Sequence, residues 1–217
     1  MPGKTATIAG ATGLIGGELL RLLLYDTAFT SVRILIRRPL SLRHPKLEKK
    51  IVDFSDADSL LVALTGSDAV FCAVGTTLQK VKGDKAAYSK IDYDIPVNLA
   101  RFCKMVGCET FVLILSVGAD SNSKNFYLKL KGEVEEEVRK IGLRSVYIMR
   151  PSMLLGKREE FRLGEKIGKG LMKAFSFLLP SKYKPIHAAA VARAMMNAAK
   201  KNETGFWIWE YREMIDS

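Results

Sequence analysis

Apolar positions along the first 150 residues follow two alternating patterns. Short, densely apolar runs, such as residues 5–9, 32–36 and 69–74, are separated by longer stretches in which apolar side chains recur every three or four positions. Runs of the first kind predict strands covered on both faces, and stretches of the second kind predict amphipathic helices. The alternation therefore predicts an α/β protein with a Rossmann-type, doubly wound parallel sheet.

The same patterns assign the individual elements. After the first helix, which carries Leu19, Leu20, Leu23 and Leu24 on one face, a helix is expected from Asp56, whose side chain suits an N-cap. The predicted strands are 5–9, 32–36, about 50–54, 69–74, 109–115, 144–149, a short extended piece at 184–186, and 206–209. The other predicted helices are 85–105, 124–141, 158–178 and 187–200.

The pattern loosens after Arg150-Pro151. We expect residues 1–217 to form a single domain, in which residues 151–217 contribute a small lobe on the substrate side of the sheet. The stretch 165–180 is basic and apolar. A core helix or a substrate lid is preferred for it over the surface of a homodimer or a membrane-touching helix.

Composition narrows the class of protein. Hydrophobic residues make up 48% of the chain and the formal net charge is +11, but the basic residues are spread from Lys4 to Arg212, so no nucleic-acid partner is expected. Three scattered cysteines and two histidines predict no metal site and a reducing, cytoplasmic location. The chain shows neither a secretory signal at its start nor a run of ~18 apolar residues, so no membrane span is expected.

A glycine-rich turn follows the first predicted strand. Gly10, Gly13 and Gly16 lie between this strand and the first helix, which is the context that a dinucleotide-binding turn requires. Glycines there let the backbone approach a pyrophosphate, which then lies at the positive end of the helix. The turn therefore predicts a cofactor site that also includes Thr12, Leu14 and Ile15.

The end of the second strand discriminates between nicotinamide cofactors. An acidic residue ~20 positions beyond the glycines would bind the ribose hydroxyls of NAD(H), whereas arginine favours a 2′-phosphate. Arg37 and Arg38 occupy this place with no carboxylate beside them. NADP(H) is therefore predicted in preference to NAD(H).

Several motifs occur together in one order. They are Gly10-Ala11-Thr12-Gly13, Val74-Gly75-Thr76-Thr77, Ser116 with Gly118-Ala119-Asp120, residues 127–135, and Arg150-Pro151. In this order they resemble an atypical short-chain dehydrogenase/reductase, especially the Tat-interactive-protein-like oxidoreductase branch. The resemblance implies that Ser116, Tyr127 and Lys131 are catalytic and that Lys131 also holds the cofactor ribose. It further implies cofactor contacts at Asp53, Phe54, Ala73, Val74, Gly75, Thr76, Arg150 and Pro151.

The chemistry of these residues agrees with that resemblance. Tyr127 and Lys131 are four residues apart on a predicted helix, so their side chains share one face. A free phenol titrates near pH ~10, and a neighbouring ammonium would favour the phenolate. Ser116 could donate a hydrogen bond to a substrate carbonyl oxygen. One departure concerns Asp92, because many members of the family have asparagine there; the carboxylate changes the charge beside Lys131.

The leading hypothesis is an NADPH-dependent oxidoreductase that transfers a hydride to a small carbonyl substrate, with Tyr127 as the general acid. A second hypothesis is a non-catalytic sensor, in which bound NADP(H) reshapes a surface that binds another protein. A third is an epimerase or dehydratase that acts on a nucleotide sugar, although the region after residue 150 is small for such a substrate. Fold alone does not separate these alternatives.

Overall fold

Seven parallel strands form the central sheet of the computed structural model, which describes residues 3–156 and 180–217. The strands of this sheet are β1 (Lys4–Ala9), β2 (Phe29–Ile36), β3 (Leu47–Ile51), β4 (Ala69–Cys72), β5 (Thr110–Ile114), β6 (Ser145–Met149) and β9 (Gly205–Trp209). Their spatial order is β3-β2-β1-β4-β5-β6-β9. The predicted doubly wound Rossmann-type sheet is therefore confirmed.

Helices cover both faces of the sheet. They are α1 (Leu14–Tyr25), α2 (Ala57–Leu64), α3 (Lys85–Ser89), α4 (Ile95–Met105), α5 (Phe126–Ile141), α6 (Ala188–Lys201) and α7 (Tyr211–Asp216). A π-helical turn, Lys90–Asp94, joins α3 to α4, and a 3₁₀ turn, Ser181–Tyr183, precedes α6. Helices α1 and α6 bury their apolar faces on one side of the sheet, while α2, α4 and α5 cover the other.

Alternation along each strand divides the core between these two layers. In β5, Val112 packs under α1 and α6, while Phe111 and Leu113 pack on the opposite side. Successive strand residues point to opposite faces, so a strand that is apolar throughout is buried on both. This explains why the sequence patterns located the central strands well.

Boundaries at several strands differ from the prediction; β2, for example, begins at Phe29 rather than at residue 32. The third strand was expected at about 50–54, but β3 begins at Leu47 and ends at Ile51, because it pairs in register with β2 from Val32 to Ile36. The turn in which Asp53 accepts from the backbone and hydroxyl of Ser55 then leads the chain away from the sheet. The fourth strand likewise ends at Cys72 rather than at residue 74. Asp56 caps α2 as predicted, since its carboxylate accepts from the backbone of Asp58.

The C-terminal residues join the sheet and its helical layer. Strand β9 pairs with β6, and α6 packs against α1. A two-stranded sheet forms between β7 (Leu154–Leu155) and β8 (Ile186–His187) beside them. The helix predicted over residues 158–178 and nearly all of the 165–180 stretch lie outside the described residues. Helix α7 was not predicted.

Two glycines bring β1, α1 and the loop after β4 into close contact. Gly10 has a φ of +88°, and a Cβ there would lie 2.5 Å from the carbonyl oxygen of Ala73. A Cβ on Gly16 would overlap the carbonyl oxygen of Gly10. Strand order reverses between β1 and β4, so these contacts set the width of the crevice at the switch point of the sheet.

We expect Gly16→Ala to lower the free energy of unfolding by about 1–3 kcal/mol, because the new methyl group meets backbone that cannot rotate away. Gly17→Ala is the matched control, because its Cβ would lie 3.6 Å from the carbonyl oxygen of Ala11, which is an ordinary contact. Helix propensity should make that control neutral or stabilising by up to about 1 kcal/mol. Urea denaturation of both variants measures the difference, and equal effects would contradict the close approach at Gly16.

Candidate cofactor and catalytic site

The predicted site residues follow the carboxyl ends of the parallel strands, where ligands of open α/β sheets bind. The turn after β1 contributes Gly10, Thr12 and Gly13, and Thr12 and Gly13 are exposed. The loop 73–76 after β4 lies directly against it through Gly10 and Ala73. Ile15 and Gly16 are buried beneath the turn, whereas Leu14 is half-buried and faces Gly156. The first part of the predicted cofactor set therefore shares one crevice.

The start of α1 suits an anionic group. Its N-cap residue, Gly13, makes no side-chain capping bond, and the first turn contains no acidic residue. The free backbone N–H groups and the helix dipole both favour a negative charge at this end. Because Gly13 is exposed and carries no side chain, a pyrophosphate can approach the backbone directly. These residues fit a dinucleotide.

Arg37 and Arg38 directly follow β2 and are exposed, and neither guanidinium bonds another residue within 3–156 or 180–217. They lie after the strand next to β1, on the side of the crevice where the adenosine end of a dinucleotide lies in this fold. Asp53 is exposed in its turn after β3, where the hydrogen bond from Ser55 lowers the pKa of its carboxyl group. Phe54 is half-buried and packs on the core.

Asp92 occupies the centre of the site. The π-helical turn Lys90–Asp94 carries it, and its side chain is 2% exposed. Its Oδ1 accepts from the Nζ of Lys131 at 2.8 Å, and its Oδ2 accepts from the backbone N–H of Thr76 at 2.7 Å. The carboxylate therefore binds both Lys131 on α5 and the loop that follows β4. The predicted change of charge beside Lys131 takes the form of a buried ion pair.

The other two proposed catalytic residues lie around the start of α5. Asn125 caps this helix by accepting from the backbone of Tyr127 and Leu128. Tyr127 is 38% exposed, and the Nζ of Lys131 lies 5.9 Å from the centre of its ring. Ser116 is half-buried just after β5, and its hydroxyl donates to the carbonyl of Val117. Tyr127 and Lys131 thus share a helix face as the spacing predicts.

The loop that carries Ser116 is fastened on two sides. Val117 donates to the carbonyl of Pro151 at 3.1 Å, and Asp120 donates to the carbonyl of Leu128 at 3.1 Å. Gly132 allows α5 to approach this loop, because a Cβ there would overlap the backbone at Asp120 and Ser121. A glycine inside a helix is a recognised sign of such close packing, and Gly132 falls within the 127–135 motif.

The guanidinium of Arg150 forms its hydrogen bonds inside the protein. Its Nε and Nη2 both donate to Glu135 at 2.9 Å, and its backbone N–H donates to the carbonyl of Trp209. This side chain therefore anchors α5 to the end of β6, and the cofactor contact that the resemblance implies at Arg150 stays a prediction. Glu135 itself is 7% exposed. Its spacing of four residues from Lys131 was the available sign that it lies on the buried face.

Burial makes the thiols unreactive. It raises the pKa of Cys72, at the end of β4, to about 12. The pKa of Cys103 is also raised well above its ordinary value, chiefly by burial. Both therefore remain protonated at neutral pH and take no part as thiolates. Within the described ranges, no group of three or more metal-ligating side chains is placed to bind a metal ion.

Sheet order, glycine turn and exposed helix N-terminus together define a dinucleotide-binding protein of the Rossmann type. The sequence profile of the NAD(P)H-binding family matches residues 10–202, and the chain belongs to this family. The relatives place it among the atypical short-chain dehydrogenases/reductases, as the motifs indicated.

Two relatives illustrate the relationship. The rat protein HTATIP2 is 33% identical over 200 residues, which cover 91% of this chain and 81% of the rat protein. The protein FMP52-1, mitochondrial, of Scheffersomyces stipitis is 33% identical over 222 residues, which cover 98% of this chain and 97% of the yeast protein. Sequence similarity therefore extends over nearly the whole chain.

Solved structures show the same fold at lower identity. MoeE5 in complex with UDP-glucose and NAD has a TM-score of 0.72 and 18% identity, covering 98% of this chain and 80% of MoeE5. The UDP-N-acetylglucosamine 4-epimerase from Bacillus cereus has a TM-score of 0.69 and 18% identity, covering 98% of this chain and 82% of the epimerase. At this identity the likeness concerns the fold alone.

The expectation of a cytoplasmic location is wrong in the light of these relatives. The FMP52 proteins of Scheffersomyces stipitis, Candida albicans and Saccharomyces cerevisiae are mitochondrial. The expectation rested on unpaired cysteines, which indicate a reducing environment without identifying a particular compartment. In the described part of the chain, no helix has the length and apolar character needed to span a bilayer.

We expect Glu135→Ala to lower the free energy of unfolding by about 3 kcal/mol, because it leaves the largely buried guanidinium of Arg150 without its bidentate partner. Glu137→Ala removes a carboxylate two residues further along α5, where it pairs with Lys140 at the surface. That control should leave stability unchanged within error. Thermal and urea unfolding compare the two, and equal stability would show that the Arg150–Glu135 pair does not hold α5.

Proposed function

We propose that the protein is an NADPH-dependent reductase of small carbonyl compounds. The single observation that carries this proposal is the crevice at the carboxyl edge of the sheet, in which the anion-binding start of α1 and the Tyr127–Lys131 face of α5 flank the same loop after β4. When bound, the dinucleotide supplies the hydride. Side chains of the protein carry out the remaining chemistry.

Tyr127 is the proposed general acid. Its phenol would give its proton to the carbonyl oxygen of the substrate, so that the reduced product is an alcohol. The exposure of Tyr127 leaves its hydroxyl accessible to a substrate. Ser116 donates a hydrogen bond that stabilises the negative charge developing on the same oxygen. Lys131, one turn along α5, positions the ribose and the tyrosine.

The proposed preference for NADP(H) rests on Arg37 and Arg38. Both are exposed after β2, and no carboxylate of the described residues neutralises them. A guanidinium binds a phosphate through a planar pair of donors, which a ribose hydroxyl cannot match. The β7–β8 pair beside the end of β6 is proposed to form part of the substrate side.

A second candidate function is a non-catalytic sensor of NADP(H) that binds another protein. The observation in its favour is the Asp92–Lys131 ion pair, because a carboxylate at 2.8 Å compensates the ammonium charge that would otherwise act on Tyr127. The sensor and the reductase bind the same cofactor. They differ in whether the phenol of Tyr127 is needed.

Tyr127→Phe distinguishes the two. For a reductase, we expect this variant to lose about 10²- to 10⁴-fold in kcat on a panel of aldehydes and ketones, while its affinity for NADPH stays unchanged. Tyr25→Phe, which alters a 77% exposed tyrosine on α1, serves as the control. NADPH oxidation followed by absorbance and cofactor binding followed by fluorescence are the two measurements. Firm NADPH binding without turnover of any carbonyl compound by the unaltered protein would favour the sensor instead.

Arg37→Ala should raise the Kd for NADPH by about tenfold or more and leave the Kd for NADH nearly unchanged, since only NADPH carries the 2′-phosphate. Arg193→Ala removes an exposed arginine from α6 and controls for net charge. Titration with both cofactors by nicotinamide fluorescence tests this. An equal loss for NADH and NADPH would contradict recognition of the 2′-phosphate by Arg37.

A further inference from the structure

The two oxygens of Asp92 have different partners on different elements. One binds the ammonium of Lys131, on α5, and the other binds the backbone N–H of Thr76, in the loop after β4. Both side chains of the ion pair are nearly inaccessible, with exposures of 2% for Asp92 and 7% for Lys131. The bond from Lys131 is buried and the bond from Thr76 is partly buried. Losing either acceptor therefore costs free energy, because water does not fully replace it.

The backbone geometry favours this arrangement from both sides. The wider π-helical turn that precedes Pro96 carries Asp92, and such turns occur frequently at functional sites. On the other side, a Cβ on Gly75 would lie 3.6 Å from Oδ1 of Asp92. The loop therefore packs closely over the carboxylate, with its next N–H directed at Oδ2.

We infer that Asp92 is a positioning residue that fixes the cofactor-binding loop 73–76 and Lys131 relative to each other, because its two oxygens accept from the buried ammonium of Lys131 and from the partly buried N–H of Thr76. This inference rests on the proposed function, because it is the proposed site that gives the loop and Lys131 a common ligand. Beyond that function, the two contacts explain why a carboxylate is required at position 92. An asparagine of the same size has one acceptor oxygen, and its NH₂ group would face a donor.

Because the asparagine side chain has one acceptor oxygen and the aspartate side chain has two, we expect a specific effect of Asp92→Asn. The charged ammonium competes better for the single oxygen, so the N–H of Thr76 loses its partner. Hydrogen exchange of peptides covering 73–77, measured by mass spectrometry without cofactor, should become about tenfold faster, as expected for one lost hydrogen bond. The Kd for NADPH should rise by a similar factor.

A double variant provides the rescue. In Asp92→Asn with Lys131→Met the ammonium is absent, so the amide oxygen is free to accept from Thr76. We expect exchange in 73–77 to return close to that of the unaltered protein, although activity stays low because Lys131 is missing. This variant also has no buried charge, so it keeps the test available if Asp92→Asn alone unfolds. Thermal unfolding of every variant confirms that folded protein is compared.

Asp94→Asn is the matched control. It lies two residues from Asp92 in the same π-helical turn, is exposed, and makes no side-chain capping bond. It removes the same formal charge and should leave both exchange and NADPH affinity unchanged. An effect equal to that of Asp92→Asn would show that general electrostatics, rather than the two contacts, is responsible.

The outcomes separate this inference from the proposed function. Unchanged exchange and affinity in Asp92→Asn would overturn the inference, as would failure of the double variant to restore protection. A protein that binds neither NADPH nor NADH would overturn the proposed function. Exchange in 73–77, measured on the protein alone, would still decide whether Asp92 holds the loop.

Discussion

Backbone contact at the switch point between β1 and β4 is the constraint on which the remaining architecture depends. The chain leaves β1 toward one face of the sheet and leaves β4 toward the other face. The turn after β1 must therefore pass against the loop after β4 with almost no space between them. Gly10 lies against Ala73, and Gly16 lies against Gly10, so α1 begins directly above the crevice. The N-terminus of the helix, the end of β2 and the loop 73–76 are placed around one opening because these backbones touch.

Buried ion pairs determine how α5 packs on the central sheet. Lys131 and Glu135 lie one turn apart on its inner face, and each pairs with a residue of another element: Asp92 and Arg150, respectively. Taking such groups out of water is costly, and the cost is offset only when the partners are well placed. These two pairs therefore contribute orientation more than stability. They set where Lys131 and Tyr127 lie relative to the crevice.

Much of the fold could be predicted because apolar alternation is a local property. The strands on both sides of the switch point, the cap at Asp56 and the parallel pairing with helical crossovers all followed from short-range patterns. The predicted element boundaries were wrong where strand pairing or helix packing, rather than the local sequence, sets them. The position of β3 depends on its register with β2. The π-helical turn between α3 and α4 lies just before Pro96, which has no backbone N–H to continue the helical ladder.

By itself, the sequence determined the class of this protein: the order of elements, the glycine turn and the Tyr127–Lys131 spacing depend only on neighbours along the chain. Only the tertiary structure decided which charges meet. Asp92 is 39 residues from Lys131, and Arg150 is 15 from Glu135. No local pattern encodes such pairings, because the low-dielectric interior that makes them strong exists only once the helices have packed on the sheet. For the same reason the motif order did not predict that Arg150 anchors α5.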